Sequence, residues 1–325
     1  MITFFRVEPI PAQYKFIISG ISCFLMGNTG IACNILVLII ICRNKKLHTP
    51  CFYMMACEAF YSMVMGVSFV TDGVHRLGFA FKILPAQMNE STCLLVYWTK
   101  TISHTPSALI ICGIGLDRLL AISISRSNYG RIADLVCRIS IGASVVLGVV
   151  NEVVGVVTIP NSYDHVILCL NYFTAFHQTF ATYICSIDLS LFVVATFVYG
   201  QIILKVKRSQ HKFKITSSGA VAPVGLGNRD HLNEQELFLK KQMALMPLVK
   251  SIMISFIIVG VIPQVCSSIA PYIARGAYQA EIVLYESILR SIGTVADFGV
   301  LTIKCKEFRK SLIVLFRCQT VQILI

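Results

Sequence analysis

Few side chains in this chain can do chemistry, and most of them stand inside long apolar runs. Asp117 and Arg118 are adjacent, Glu286 and Arg290 are four residues apart, and Glu58, Lys100, Asp188 and Asp297 are isolated ionisable residues in hydrophobic surroundings. A charge in hydrocarbon costs about 3 kcal/mol unless it meets a partner or water, so each is expected to face the inside of a bundle. The chemistry open to such groups is a switchable ion pair, recognition of a charged ligand, or a relay of ions or protons. Enzymatic chemistry is not expected, because no loop contains a metal-ligand cluster or a nucleophile–base arrangement. His48, His75, His104 and His177 are scattered among different elements, and nothing in the sequence asks for a cofactor.

The elements that position these groups follow from composition. Of 325 residues, 56% are hydrophobic and 14% charged, and the mean hydropathy is +0.74. Soluble domains carry about 25% charged residues, so a soluble globular protein is excluded and the solvent is lipid. Span-length apolar runs fall at 17–41, 51–74, 93–116, 139–159, 177–204, 245–273 and 280–303. The predicted fold is therefore an all-α membrane protein, a seven-transmembrane helix bundle. The stretch before Lys15, with Glu8, Pro9 and Pro11, lacks the form of a cleavable signal, so the first span is expected to act as its own insertion signal.

The formal net charge of +12 points first to topology, and no nucleic-acid partner is expected. Nineteen Lys and Arg lie in the connections and tail on one side, against five (Arg6, Lys15, Arg76, Lys82, Arg275) on the other. That imbalance puts an extracellular N-terminus at 1–16, the seven-helix domain at 17–303 and a cytoplasmic tail at 304–325, in a multi-pass plasma-membrane protein. The third inner connection, about 205–243, starts basic and passes through a Gly/Ala/Pro/Ser patch, as a flexible linker with helical ends would. After the last span, basic and apolar residues from Lys304 to Phe316 alternate at helical spacing. They predict a short amphipathic C-terminal helix against membrane lipids. No internal repeat is apparent.

Sorting the 13 cysteines by depth leaves only Cys93 and Cys169 in the oxidising compartment, so the expected disulfide is Cys93–Cys169; two unpaired thiols are the alternative. Cys318 follows the tail helix and is a palmitoylation candidate, or an unmodified thiol. Asn89-Glu90-Ser91 is a sequon too near the third span to be expected in use.

From Asn34 the chain resembles rhodopsin-like G-protein-coupled receptors. Asn34, the Leu47-His48-Thr49-Pro50 turn and the acid Glu58 occur in order at that family's separations. Cys93 lies 25 residues before Arg118, Tyr199 and Pro263 fall at the fifth-helix tyrosine and sixth-helix proline, and Asp297-Phe298-x-x-Leu301 followed by Phe308 replaces "NPxxY…F". Departures are equally clear: "DRL" stands for "DRY", no tryptophan precedes Pro263, and the single tryptophan is Trp98. The pattern is similar to nematode serpentine chemoreceptors of the Srsx class, candidate olfactory or gustatory receptors, and so implies a sensory-cell membrane.

That resemblance implies an external ligand, of unknown identity, and a heterotrimeric G protein as partners. It makes Asp117 and Arg118 the resting pair that opens toward the G protein, with Tyr199 and Pro263 in the same switch. At 1.5 Å per residue, Arg118 lies about 37 Å along its helix from Cys93 and so reaches the inner side. Asn34, Glu58 and Asp297 are expected to converge in the inner half, as a structural polar network or as the sodium site of the resembling family. Lys100, Glu286 and Arg290 either line a pocket for an anionic or zwitterionic ligand or form an internal salt-bridge network with Glu152 or Asp188. A competing reading is a seven-helix transporter or ion-conducting protein that uses Glu58, Asp188, Lys100 and Asp297 as a relay.

Overall fold

The computed structural model describes residues 12–84, 87–124, 126–158, 166–168, 178–217, 247–248, 250–252, 254–263, 265–266 and 277–323. The helices are α1 (Ala12–Arg43), α2 (Pro50–Ala80), α3 (Glu90–Ser123), α4 (Arg126–Val157), α5 (Gln178–Ser217), α6 (helical residues within 247–266), α7 (Ala277–Lys304) and α8 (Lys306–Ile323). The first seven form the bundle and α8 packs against its inner end. Among the described residues, α1 to α5 are each long and apolar enough to cross a membrane. α7 is of similar length but carries Glu281, Glu286, Arg290 and Asp297, so composition alone marks it less sharply.

The bundle is polar inside and apolar outside. Val146 and Val149 on α4 and Val193 and Phe197 on α5 are more than half exposed, whereas Asp117, Arg118, Asp188 and Arg290 are all at most 6% exposed. In water that arrangement would be unstable. In lipid the exposed aliphatic surface is solvated by acyl chains, and the charges are left to one another.

Glycines set the closest contact. α1 and α2 run antiparallel with Gly20 opposite Gly73 and Gly27 opposite Gly66. A Cβ on Gly73 would stand 2.7 Å from the Gly20 carbonyl oxygen, and one on Gly27 would stand 2.8 Å from that of Gly66. Only hydrogen fits, so the two backbones touch along two turns each. On α3, Pro106 has no N–H to give the Ile102 carbonyl. Gly148 of α4 sits over that carbonyl, its Cβ position 3.1 Å from the oxygen, so α4 approaches where the α3 ladder is interrupted.

The turn between α1 and α2 is a 3-10 turn, Lys45–Leu47. The Asn44 side chain accepts a hydrogen bond from the Lys46 N–H (3.0 Å), and Pro50 opens α2 at its first turn. The amide of Asn44 also donates to Ser311 on α8 (2.7 Å). Phe308 of α8 is buried and meets Phe298 of α7 edge-on at 6.1 Å, so the tail helix is docked by one apolar face.

Several sequence expectations are revised. α1, α2, α3 and α7 overrun the predicted spans at both ends, α4 at its start and α5 at its end, because hydropathy marks the lipid-immersed part and the backbone ladder continues past it. Arg126, Arg131 and Arg138 lie on the first turns of α4, not in a loop. Arg76, counted as an outer-loop residue, is inside α2 and buried, which leaves the outer side still poorer in basic residues. α5 carries the basic start of the third inner connection, continuing as helix to Ser217; the connection from 218 to 246 lies outside the described residues. The helical expectation also omitted a two-stranded antiparallel ladder, β1 (Gln87–Asn89) with β2 (Val166–Leu168), in register Gln87↔Leu168 and Asn89↔Val166. The sequon Asn89 is thus the last residue of a strand that leads directly into α3.

Candidate functional site

Among the described residues, four groups of polar side chains descend through the bundle from the outer ends to the inner ends. The outermost was not expected. Asp72 and Arg76, one turn apart on α2, form a buried ion pair (2.7 Å), Tyr97 of α3 donates to Asp72 (3.0 Å), and Arg76 donates to Ser287 of α7 (2.8 Å). Three helices are thereby joined through one carboxylate and one guanidinium. The i, i+4 spacing of Asp72 and Arg76 was the available signal, missed because Arg76 was read as lying beyond the span.

One turn deeper lie the pocket candidates. Arg290 pairs with Glu286 on its own helix (2.6 Å) and contacts the ring nitrogen Nε2 of His104 on α3. The same nitrogen is 3.5 Å from Asp188 of α5. Lys100, buried one turn before His104, stands 6.0 Å over the Tyr97 ring and has Glu286 and Arg290 as charged neighbours. The structure therefore brings Lys100, Glu286 and Arg290 together and adds Asp188 by way of His104, so His104 is no bystander. Glu152 takes no part; it bonds the Thr101 hydroxyl across the α3–α4 contact.

Below them a cavity of about 90 Å³ is walled by His104 and Arg290 above and by Glu58 and Asp297 beneath. That volume is enough for a few waters, each with polar partners. Ser62 donates to Glu58 (2.7 Å). Asn34 donates to the Thr294 carbonyl of α7 (2.8 Å) and to the Gly30 carbonyl of its own helix (2.9 Å). Asn34, Glu58 and Asp297 also line a second, smaller cavity together. Asn34 is tied to backbone while the two acids face the cavities. The π-helical turn Ile257–Val261 of α6 lies alongside, with Phe256, Val259 and Gly260 in the cavity wall. Pro263 follows that turn within α6 and is buried; the wide turn accommodates a ring that has no N–H and needs room against the preceding turn.

At the inner end Arg118 donates to Asp117 through Nε (2.8 Å) and again through Nη2, and Nη2 also donates to the Tyr129 hydroxyl (3.1 Å). The hydroxyl of Tyr129, on the first turn of α4, donates in turn to the other oxygen of Asp117 (2.9 Å). The three side chains close a ring. Tyr199 does not join it: its hydroxyl bonds the Ile111 carbonyl (3.3 Å) and its ring lies against Gly115. On the outer side Cys93 is buried and disulfide-bonded. Cys169 lies outside the described residues, next after β2, whose ladder runs beside the start of α3. Cys318 is on α8. Cys305, at the α7–α8 joint, is buried, and burial pushes its thiol above the ordinary value.

No curated protein matches the chain. Among solved structures it is similar to the crystal structure of squid rhodopsin, with a TM-score of 0.69 and 14% identity over 96% of this chain and 87% of that one; at that identity the likeness establishes the fold. The family model for serpentine-type seven-transmembrane G-protein-coupled chemoreceptors, Srsx, matches residues 28–316, and on that match the chain belongs to the Srsx chemoreceptor family.

Proposed function

We propose that this receptor binds an external small molecule or peptide in the outer half of the bundle, among Lys100, Glu286 and Arg290, and activates a heterotrimeric G protein at its inner ends. The observation that carries the reading is the closed ring of Asp117, Arg118 and Tyr129. A buried ion pair at the membrane edge, held from a second helix, is an element with two arrangements that ligand or partner binding can bias. Between it and the outer charges runs the water-sized cavity beside the π turn of α6, the helix whose inner half would swing on Pro263. The palmitoylation of Cys318 would add a second membrane contact to α8.

Nucleotide exchange on a co-reconstituted G protein tests it. Wild-type receptor is expected to accelerate exchange, basally or on ligand, and Arg118→Ala to return it to the rate of the G protein alone with surface expression intact. Ligand-coupled flux in liposomes without added protein, with exchange unaffected by the substitution, would instead favour the relay reading of Glu58, Asp188, Lys100 and Asp297.

A further inference from the structure

The polar groups of the middle tier divide by charge. On one side Lys100 and Arg290 are grouped with Glu286, 2.6 Å from Arg290, while the Asp72–Arg76 pair above them adds no net charge; among the described residues that is an excess of one positive charge. On the other side stands Asp188 of α5, fully buried, an excess of one negative charge. Neither Asp188 carboxylate oxygen accepts a hydrogen bond of ordinary geometry among the described residues. The Thr105 hydroxyl stands beside it and is likewise unbonded, and the nearest ring nitrogen, of His104, is 3.5 Å away. A wholly buried carboxylate whose nearest donors, Thr105 and His104, stand outside ordinary hydrogen-bond geometry is costly to keep. Its charged neighbours are Arg290, Lys100 and Glu286, so the tier as a whole is neutral with His104 uncharged.

A site that is neutral overall but split into a positive and a negative half selects its ligand by charge separation. A simple anion satisfies the Lys100–Arg290 half and leaves Asp188 without a donor. A simple amine satisfies Asp188 and brings a net positive charge beside Lys100 and Arg290. A molecule with both groups serves both halves and leaves the net charge unchanged in a low-dielectric interior, where an unbalanced charge is most expensive. We infer that the ligand is a small zwitterion of amino-acid type, its ammonium held by Asp188 and its carboxylate by Lys100 and Arg290. This rests on the proposed outer-half pocket and specifies what that pocket reads.

The test uses matched triads on the purified, full-length receptor in detergent, with thermal unfolding as the binding readout. Phenylalanine is compared with phenethylamine and 3-phenylpropionate, leucine with isoamylamine and 4-methylpentanoate, and γ-aminobutyrate with butylamine and butyrate. At least one zwitterion is expected to raise the unfolding midpoint while its singly charged relatives do not. In Asp188→Asn the preference should invert: the zwitterion weakens by about 30-fold or more, as when one partner of a buried charge pair is truncated, and the matching carboxylate binds in its place. Without ligand, Asp188→Asn is expected to keep or raise the midpoint, because it removes a buried charge that lacks a donor.

A midpoint in Asp188→Asn that falls by more than about 5 °C would overturn the assignment, because the carboxylate would then be stabilising the empty receptor. So would a wild-type receptor that none of the zwitterions shifts, or one shifted equally by an amine or acid alone. Exchange on the G protein is followed in parallel. Basal exchange that depends on Arg118 without any zwitterion effect sinks only the ligand class, whereas zwitterion binding without exchange sinks the signalling reading and leaves the ligand class standing.

Discussion

The Tyr129 hydroxyl both accepts from Arg118 and donates to Asp117, so in the proposed switch it would hold the resting arrangement at the inner end. Tyr129→Phe removes both bonds and leaves the ring in place. With a net value of about 1 kcal/mol for such bonding, basal nucleotide exchange is expected to rise by roughly fivefold, read without ligand and with expression matched to wild type. Exchange no higher than wild type would show that the resting state does not depend on this hydroxyl. Arg118 was legible from its distance to Cys93 and its neighbour Asp117. Tyr129 was not, because the α3–α4 turn alone brings it round, and a turn conformation leaves little mark on residue types. His104 was hidden for a related reason: the spacing from Lys100 to His104 shows that they share a helix face, but not that α5 and α7 place Asp188 and Arg290 against it.

At the scale of elements, hydropathy located the helices because each lipid-facing stripe must be apolar wherever the helix packs. It could not locate the ends, where backbone hydrogen bonding continues into the headgroup region as in α5. Nor could it reveal the β1–β2 ladder, since three-residue strands have no periodicity to detect. The glycine contact of α1 with α2 was silent as well, because a glycine in an apolar run reads as a gap until its partner helix is known. Gly66→Leu is expected to lower the unfolding midpoint sharply, by the equivalent of about 3 kcal/mol or more, since the added atoms meet the Gly27 carbonyl and Ile31. Gly142→Ala on α4, where a Cβ meets nothing within 4 Å, is the control and should be neutral or stabilising through helix propensity. Equal effects of the two would remove the packing explanation.

For the whole molecule, the distribution of Lys and Arg gives the expected sidedness, and the inside-out polarity of the bundle agrees with a lipid solvent. The outer closure rests on one covalent and one hydrogen-bonded tie, the disulfide at Cys93 and the adjoining strand ladder. If Cys169 is the other half, Cys93→Ser and Cys169→Ser should lower surface expression to the same extent, and the double variant should be no worse than either; additive losses would argue for separate roles. Where backbones meet at van der Waals distance along α1 and α2, sliding one past the other would drive carbonyls into Cα atoms. In the proposed switch those two helices would serve as the fixed frame, steadied at its base by the Asn44–Ser311 hydrogen bond, and a stroke that carries a signal inward would be made by the opposite half of the bundle.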